Sequence, residues 1–95
     1  MKSAIVDRMD RCLICGSYNN IQVHHVFFGN GKRKLSDKYK MVVPLCIYHH
    51  TGSNLAVHGK DGHKLDLELK QLGQKAFEWT HTRDEFRATF GKSYL

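Results

Sequence analysis

The chain has no apolar run long enough to cross a bilayer, which takes about 20 residues. Its opening residues, Met1 to Arg8, lack the apolar stretch of a secretory signal. Cysteine is scarce: Cys12, Cys15 and Cys46 are the three, and an odd number cannot all pair within one chain. These absences point away from a membrane protein or a secreted disulfide scaffold. They favour a reducing, cytoplasmic setting, where Cys-x-x-Cys more often holds a metal than forms a disulfide. Internal repeats, low-complexity tracts and linkers are also missing, so residues 1–95 read as one domain. A domain of 95 residues is below the size at which a hydrophobic core alone stabilises comfortably. A structural metal would fill that gap, because it binds only the folded state. Acidic residues are few, 9 against 15 Lys and Arg, and the net charge of +6 favours a polyanionic partner.

Metal-ligand residue types, by contrast, are abundant. Cys12-x-x-Cys15 precedes His24-His25, and Cys46-x-x-His49-His50 follows. Thiolate and imidazole are the donors zinc prefers, and two-residue gaps are the spacing of a zinc knuckle. Cys12, Cys15 and Cys46 with one histidine therefore form a candidate structural zinc site. Cys46-x-x-His49 mirrors Cys12-x-x-Cys15, which assigns His49 to zinc and His50 to a second metal. Cys46-x-x-x-His50 is also a zinc spacing, so the reverse assignment stays open. His24, His25, His50 and His58 are then surplus to any obvious structural job, and such a surplus is what a metal-dependent hydrolase needs. On one unbroken helix His50 and His58 would stand about 12 Å apart, too far to share an ion. Thr51-Gly-Ser-Asn54 supplies a break, through Gly or Asn in the left-handed conformation, that could bring His58 back; otherwise His58 is a surface residue. His24 and His25 would diverge on an ideal strand, so the strand must bend or end there if both serve one site. His63 and His81 have no motif around them and read as surface residues.

Residues 1–11 read as a short helix or an ordered arm. Cys12–Gly16 is a knuckle turn with Gly16 at positive φ. Ile21–Phe28 is β-branched and aromatic, hence a strand; Gly29–Lys34 is a loop by its Gly and Asn content. Met41–Leu45 is a second strand, with Pro44 at its end or at an edge, and a short helix runs from about Cys46 to His50. Lys32, Arg33, Lys34, Lys38 and Lys40 crowd the stretch between the two ligand half-sites. A basic loop there suits a phosphate backbone, the bland alternative being a solvated loop. Leu65, Leu69, Leu72 and Ala76 recur on one helix face. Thr82-Arg-Asp-Glu85 is a capping box for a further helix carrying Phe86 and Phe90 and stopped by Gly91. The expected class is α+β: a zinc-stabilised ββα core over about 12–60, with C-terminal helices over about 63–92.

The order Cys-x-x-Cys, His-His, Pro-Leu-Cys-x-x-His-His resembles the HNH (ββα-metal) endonuclease superfamily in its zinc-bound form, over roughly Cys12 to His58. The pattern from His24-His25 through Val43-Pro-Leu-Cys46 and His49-His50-Thr-Gly52 to His58 is similar to a phage-type branch near the recombination-enhancement nucleases that act with RecA. Leu65 to Leu95 is a less specific match to the tail of small phage proteins of this type. The resemblance implies that His24 is a ligand of the catalytic metal, that His25 is the general base, and that His50 and His58 are further ligands. It implies metal-dependent nicking of DNA to 5′-phosphate and 3′-hydroxyl ends, in the host cytoplasm, with a recombinase or another phage replication or recombination protein as partner. The catalytic divalent ion could be Mg²⁺, Mn²⁺, Ni²⁺, Co²⁺ or Zn²⁺; imidazoles suit the last four, while Mg²⁺, which prefers oxygen, would keep several waters. One position departs: many members open the second strand with Asn, where this chain has Met41, which leaves the orientation of His25 open. The competing class is a non-catalytic zinc module that binds DNA, RNA or protein. It accounts for the cysteines and the charge but not for His24, His25 and His50. A thiol redox protein is disfavoured, because Cys12-x-x-Cys15 leads into Gly16 and a turn rather than a helix.

Overall fold

Strand β1 (Gln22–His25) pairs antiparallel with β2 (Val42–Leu45), placing His24 opposite Val43 and His25 opposite Val42. The computed structural model describes residues 2–95, and in it helix α1 (Lys32–Tyr39) is inserted between the strands. Helices α2 (Ile47–His50), α3 (His63–Phe77) and α4 (Arg83–Phe90) follow, giving an α+β fold. Among the described residues, no helix is long and apolar enough to cross a membrane.

β1 is shorter than the expected Ile21–Phe28. Past Val26, whose N–H still donates to Met41 O (3.0 Å), the ladder gives way to a side chain: Ser36 Oγ accepts from the backbone N–H of Phe27 (3.0 Å) and donates to its carbonyl (2.6 Å). Phe27 is thereby freed to turn into the core without orphaning its backbone. Residues 2–11 form an arm and not a helix, tied down where Ala4 N–H donates to Lys40 O (2.9 Å) and where the Ser3 hydroxyl bonds Val42 O. Pro44 lies inside β2, tolerated because each strand of a two-stranded sheet is an edge, and its carbonyl accepts from Leu13 N–H (2.9 Å).

The basic stretch expected as a loop is largely helical, which corrects that expectation. Gly29, Asn30 and Gly31, at φ of 80°, 47° and 83°, complete the loop within three residues. Lys32–Tyr39, rich in good helix formers, then turns Leu35, Ser36 and Tyr39 inward before Lys40 ends the helix at φ 59°.

The C-terminal helices close the core. Phe27 meets Phe90 at 4.3 Å and Phe86 at 5.5 Å between ring centroids. The inward face of α3 runs through Leu65, Leu69, Gly73 and Phe77, whereas Leu72, expected on the stripe, is 43% exposed. Gly73 bears on the difference: a Cβ there would sit 3.0 Å from the Phe27 ring, so glycine lets α3 approach without displacing that ring. The capping box of α4 is present, with Thr82 Oγ1 accepting from Glu85 N–H and Glu85 Oε1 accepting from Thr82 N–H. His63 is exposed as expected; His81 is half-buried and stacks on Phe77 at 4.1 Å.

Candidate metal centres

The knuckle turn folds as its residues require. Gly16 takes φ 76°, its N–H donates to Cys12 O (2.9 Å), and Cys12 N–H donates to Ser17 O (2.8 Å). Across from it, Cys46 caps α2, and one helical turn brings His49 back over it. Cys12, Cys15, Cys46 and His49 thus form one donor cluster. Cys15 Sγ lies 3.8 Å from Cys46 Sγ, and His49 Nδ1 lies 3.3 Å from Cys46 Sγ and 3.7 Å from Cys12 Sγ. A tetrahedral zinc with bonds of about 2.3 Å to sulfur and about 2.0 Å to nitrogen spaces its donors about 3.5 to 3.8 Å apart. The cluster can therefore hold a metal ion, and its donors suit structural zinc. Burial opposes a thiolate at Cys12, but the backbone N–H groups of Cys46, Cys15 and Ile14 outweigh it and hold the pKa below the usual thiol value. His49, not His50, joins the cysteines.

His50 joins His24 and His58 in a second cluster. The ring centroids of His50 and His58 are 4.8 Å apart, those of His24 and His58 5.0 Å, and those of His24 and His50 5.3 Å. His58 returns because Val57 N–H donates to His49 O (2.8 Å) and His58 N–H to His50 O (3.1 Å), laying the returning segment along α2. The break that allows this is not the left-handed Gly or Asn expected at Thr51–Asn54; Gly52 instead tucks against Ile47, where a Cβ would meet the carbonyl at 2.9 Å. The strand ends at His25, so both adjacent histidines open on one cleft of about 230 Å³, with His50, His58, Phe28 and Arg33.

Comparison of the chain with models of protein families, with curated proteins and with solved structures finds no match.

The donor set of the second cluster fits a divalent ion. His24 is 1% exposed and its Nε2 has no hydrogen-bond partner, an unsatisfied buried nitrogen that a protein rarely keeps without use. Burial, and then the charges of His58, His50, His25 and Lys70, push its pKa down to about 3. Burial likewise lowers His50, helped by His58 and His25. Both are neutral imidazoles at pH 7, ready to ligate without shedding a proton. Gln22 Oε1 accepts from His50 Nδ1 (2.6 Å), which leaves Nε2 with the lone pair. A larger hollow of about 580 Å³, lined by Ile5, Arg8, Arg11, Cys12 and Leu13 among others, brings no further cluster of donors together among the described residues.

Of the five basic residues expected to meet phosphates, Arg33 lines the cleft. Lys34 and Lys38 are exposed on α1, and Lys40 lines a separate hollow with Lys2. Lys32 is half-buried against the end of α4, its Nζ 3.8 Å from where a Cβ on Gly91 would lie. Met41 is 2% exposed in the core and has no polar group to orient His25. That ring is instead met by Asp37, whose Oδ1 lies 2.7 Å from Nε2. Sequence reasoning missed Asp37 and Gln22. Strand periodicity could have found Gln22, two residues from His24 on the same face; Asp37 had no signal once its helix was taken for a loop.

The depressed pKa of His24 has a measurable sign. Its folded value lies below the unfolded value of 6.5, so protonation favours the unfolded chain; the stability is fully present above pH 6.5 and drains as pH falls toward 3. With metal at the cysteine site and no other divalent ion added, the unfolding free energy should fall by about 1 kcal/mol between pH 7 and pH 5.5. Denaturant titrations at the two pH values measure this, and His24→Gln should flatten the slope. A wild-type protein equally stable at both would contradict the burial of a neutral His24.

Proposed function

We propose that this protein is an HNH-type endonuclease, phage or prophage encoded, that hydrolyses DNA phosphodiester bonds in a metal-dependent reaction and leaves 5′-phosphate and 3′-hydroxyl ends. One convergence carries the proposal: three imidazoles gathered into one donor cluster, a fourth beside them outside that set, and Arg33, all on one cleft. His24, His50 and His58 would hold the catalytic ion. Because all three are neutral donors, a bound divalent ion would keep its full charge and would supply it where negative charge builds in the transition state.

The remaining chemistry falls to the chain. His25 removes a proton from the attacking water. Arg33 pairs with a non-bridging phosphate oxygen, and Lys34 and Lys38 bind neighbouring phosphates of the strand. The cysteine cluster takes no part in the reaction. It fastens the knuckle to the junction of β2 and α2, and so fixes the helix that carries His50.

Purified protein should relax supercoiled plasmid in the presence of Mg²⁺, Mn²⁺, Co²⁺, Ni²⁺ or Zn²⁺. Activity should stop under a chelator mild enough to leave the cysteine-bound metal in place, and each chain should take up a second ion. No cleavage with any ion of that series, together with one metal per chain, would instead indicate a non-catalytic zinc module that binds nucleic acid.

A further inference from the structure

Asp37 stands exposed in the C-terminal half of α1, one residue past the fully buried Ser36. Its Oδ1 lies 2.7 Å from His25 Nε2. A carboxylate can only accept, so Nε2 carries the proton, and in the neutral ring Nδ1 keeps the lone pair. The contact is held from both sides. Ser36 Oγ bonds both backbone groups of Phe27, two residues beyond His25, and Met41 N–H donates to Ser36 O (2.8 Å). Helix α1 is therefore pinned to the chain just past His25 at the residue next to Asp37, and ring and carboxylate meet in a fixed register. The His25 side chain is 14% exposed and that of Asp37 53%, so the carboxylate approaches from the solvent side of the ring.

We propose that Asp37 is the positioning residue for His25: it sets the tautomer of the ring and stabilises the imidazolium formed when His25 takes its proton. This rests on His25 acting as general base. In the step concerned, an O–H bond of water gives its proton to Nδ1 and the water oxygen bonds phosphorus. The P–O3′ bond breaks, its electron pair leaves on the 3′ oxygen, and solvent protonates that oxygen. The positive charge left on the ring then sits against the Asp37 carboxylate.

The test compares wild type, Asp37→Ala and Asp37→Asn in single-turnover plasmid nicking at saturating protein, with DNA affinity and metal content measured alongside. The protonated nitrogen of His25 is read by NMR of ¹⁵N-histidine-labelled protein. Asp37→Ala should slow nicking by about 10- to 100-fold with DNA affinity and metal content unchanged. Asp37→Asn, which keeps an oxygen acceptor at the same reach but carries no charge, should restore the tautomer without stabilising the imidazolium and so recover only part of the rate, and wild-type His25 should carry its proton on Nε2. A wild type that nicks while Asp37→Ala nicks equally fast overturns the positioning role alone, as does a wild-type ring protonated only on Nδ1. Loss of metal or DNA affinity in Asp37→Ala, without recovery in Asp37→Asn, would make the contact structural. A wild type that nicks no DNA overturns the nuclease assignment itself, and the NMR result then decides only the orientation of the ring.

Discussion

A His25→Ala protein is expected to nick supercoiled plasmid about 10³-fold more slowly than wild type, in the same divalent ion, while keeping its metal content and its unfolding midpoint. The separation of rate from stability follows from where His25 stands. It belongs to neither donor cluster and not to the apolar core. Among the described residues its side chain bonds Asp37, in a pair whose carboxylate is half exposed. A pair of that kind contributes about 0–1 kcal/mol, too little to unfold the domain. Removal of the imidazole leaves the cleft, Arg33 and the three clustered histidines in place but takes away the proposed proton acceptor. His24→Ala should behave differently: it deletes a buried donor of the histidine cluster, so on the proposed function the second ion and the activity should be lost together. Single-turnover gel assays with metal analysis on each variant separate the two cases. A His25→Ala protein that cleaves at the wild-type rate would mean that the base lies elsewhere on the cleft.

Legibility in the sequence followed the range of the interaction. The knuckle at Cys12–Gly16, the turn carrying Cys46 and His49, and the capping box at Thr82 are each closed within a few residues, and residue type with spacing specifies them. Spacing could not choose between His49 and His50, because a gap of two or three residues closes on Cys46 equally well. The choice came from where α2 begins, with Cys46 as its cap and His49 Nδ1 turned back onto the sulfur. The return of His58 was still less visible. It depends on two backbone hydrogen bonds to His49 and His50, and backbone groups carry no residue signature. The misread helix α1 had a local cause: the Gly29–Gly31 turn looks like the start of a longer loop, and it hid both the helix and the carboxylate it presents to His25. On α3 the count of leucines pointed to Leu72, but close approach to Phe27 is set by the residue with no side chain, Gly73.

The largest loss of stability should come from Cys46→Ala. Cys46 is 5% exposed at the junction of β2 and α2, and its sulfur lies next to both Cys15 Sγ and His49 Nδ1. If the thiol only filled space, losing one buried atom would cost about 1 kcal/mol. A structural zinc in a site of this donor type contributes about 10–16 kcal/mol of apparent binding free energy at pH 7, whereas a small domain has a net stability of about 5–15 kcal/mol. The second magnitude decides the outcome: without its fourth donor the site should lose the metal, and the chain should unfold. Circular dichroism and metal analysis of the variant, beside wild type stripped with a strong chelator, measure this directly. The same loss should reach the histidine cluster, because α2 carries His50 and its carbonyls hold Val57 and His58 in place. The two variants should differ in extent. His24→Ala should release the second ion and leave the cysteine-bound one, while Cys46→Ala should release both. A Cys46→Ala protein that is metal-free at the cysteines yet folded, with a normal melting transition, would show that the apolar core built on Phe27, Phe86 and Phe90 holds the domain by itself.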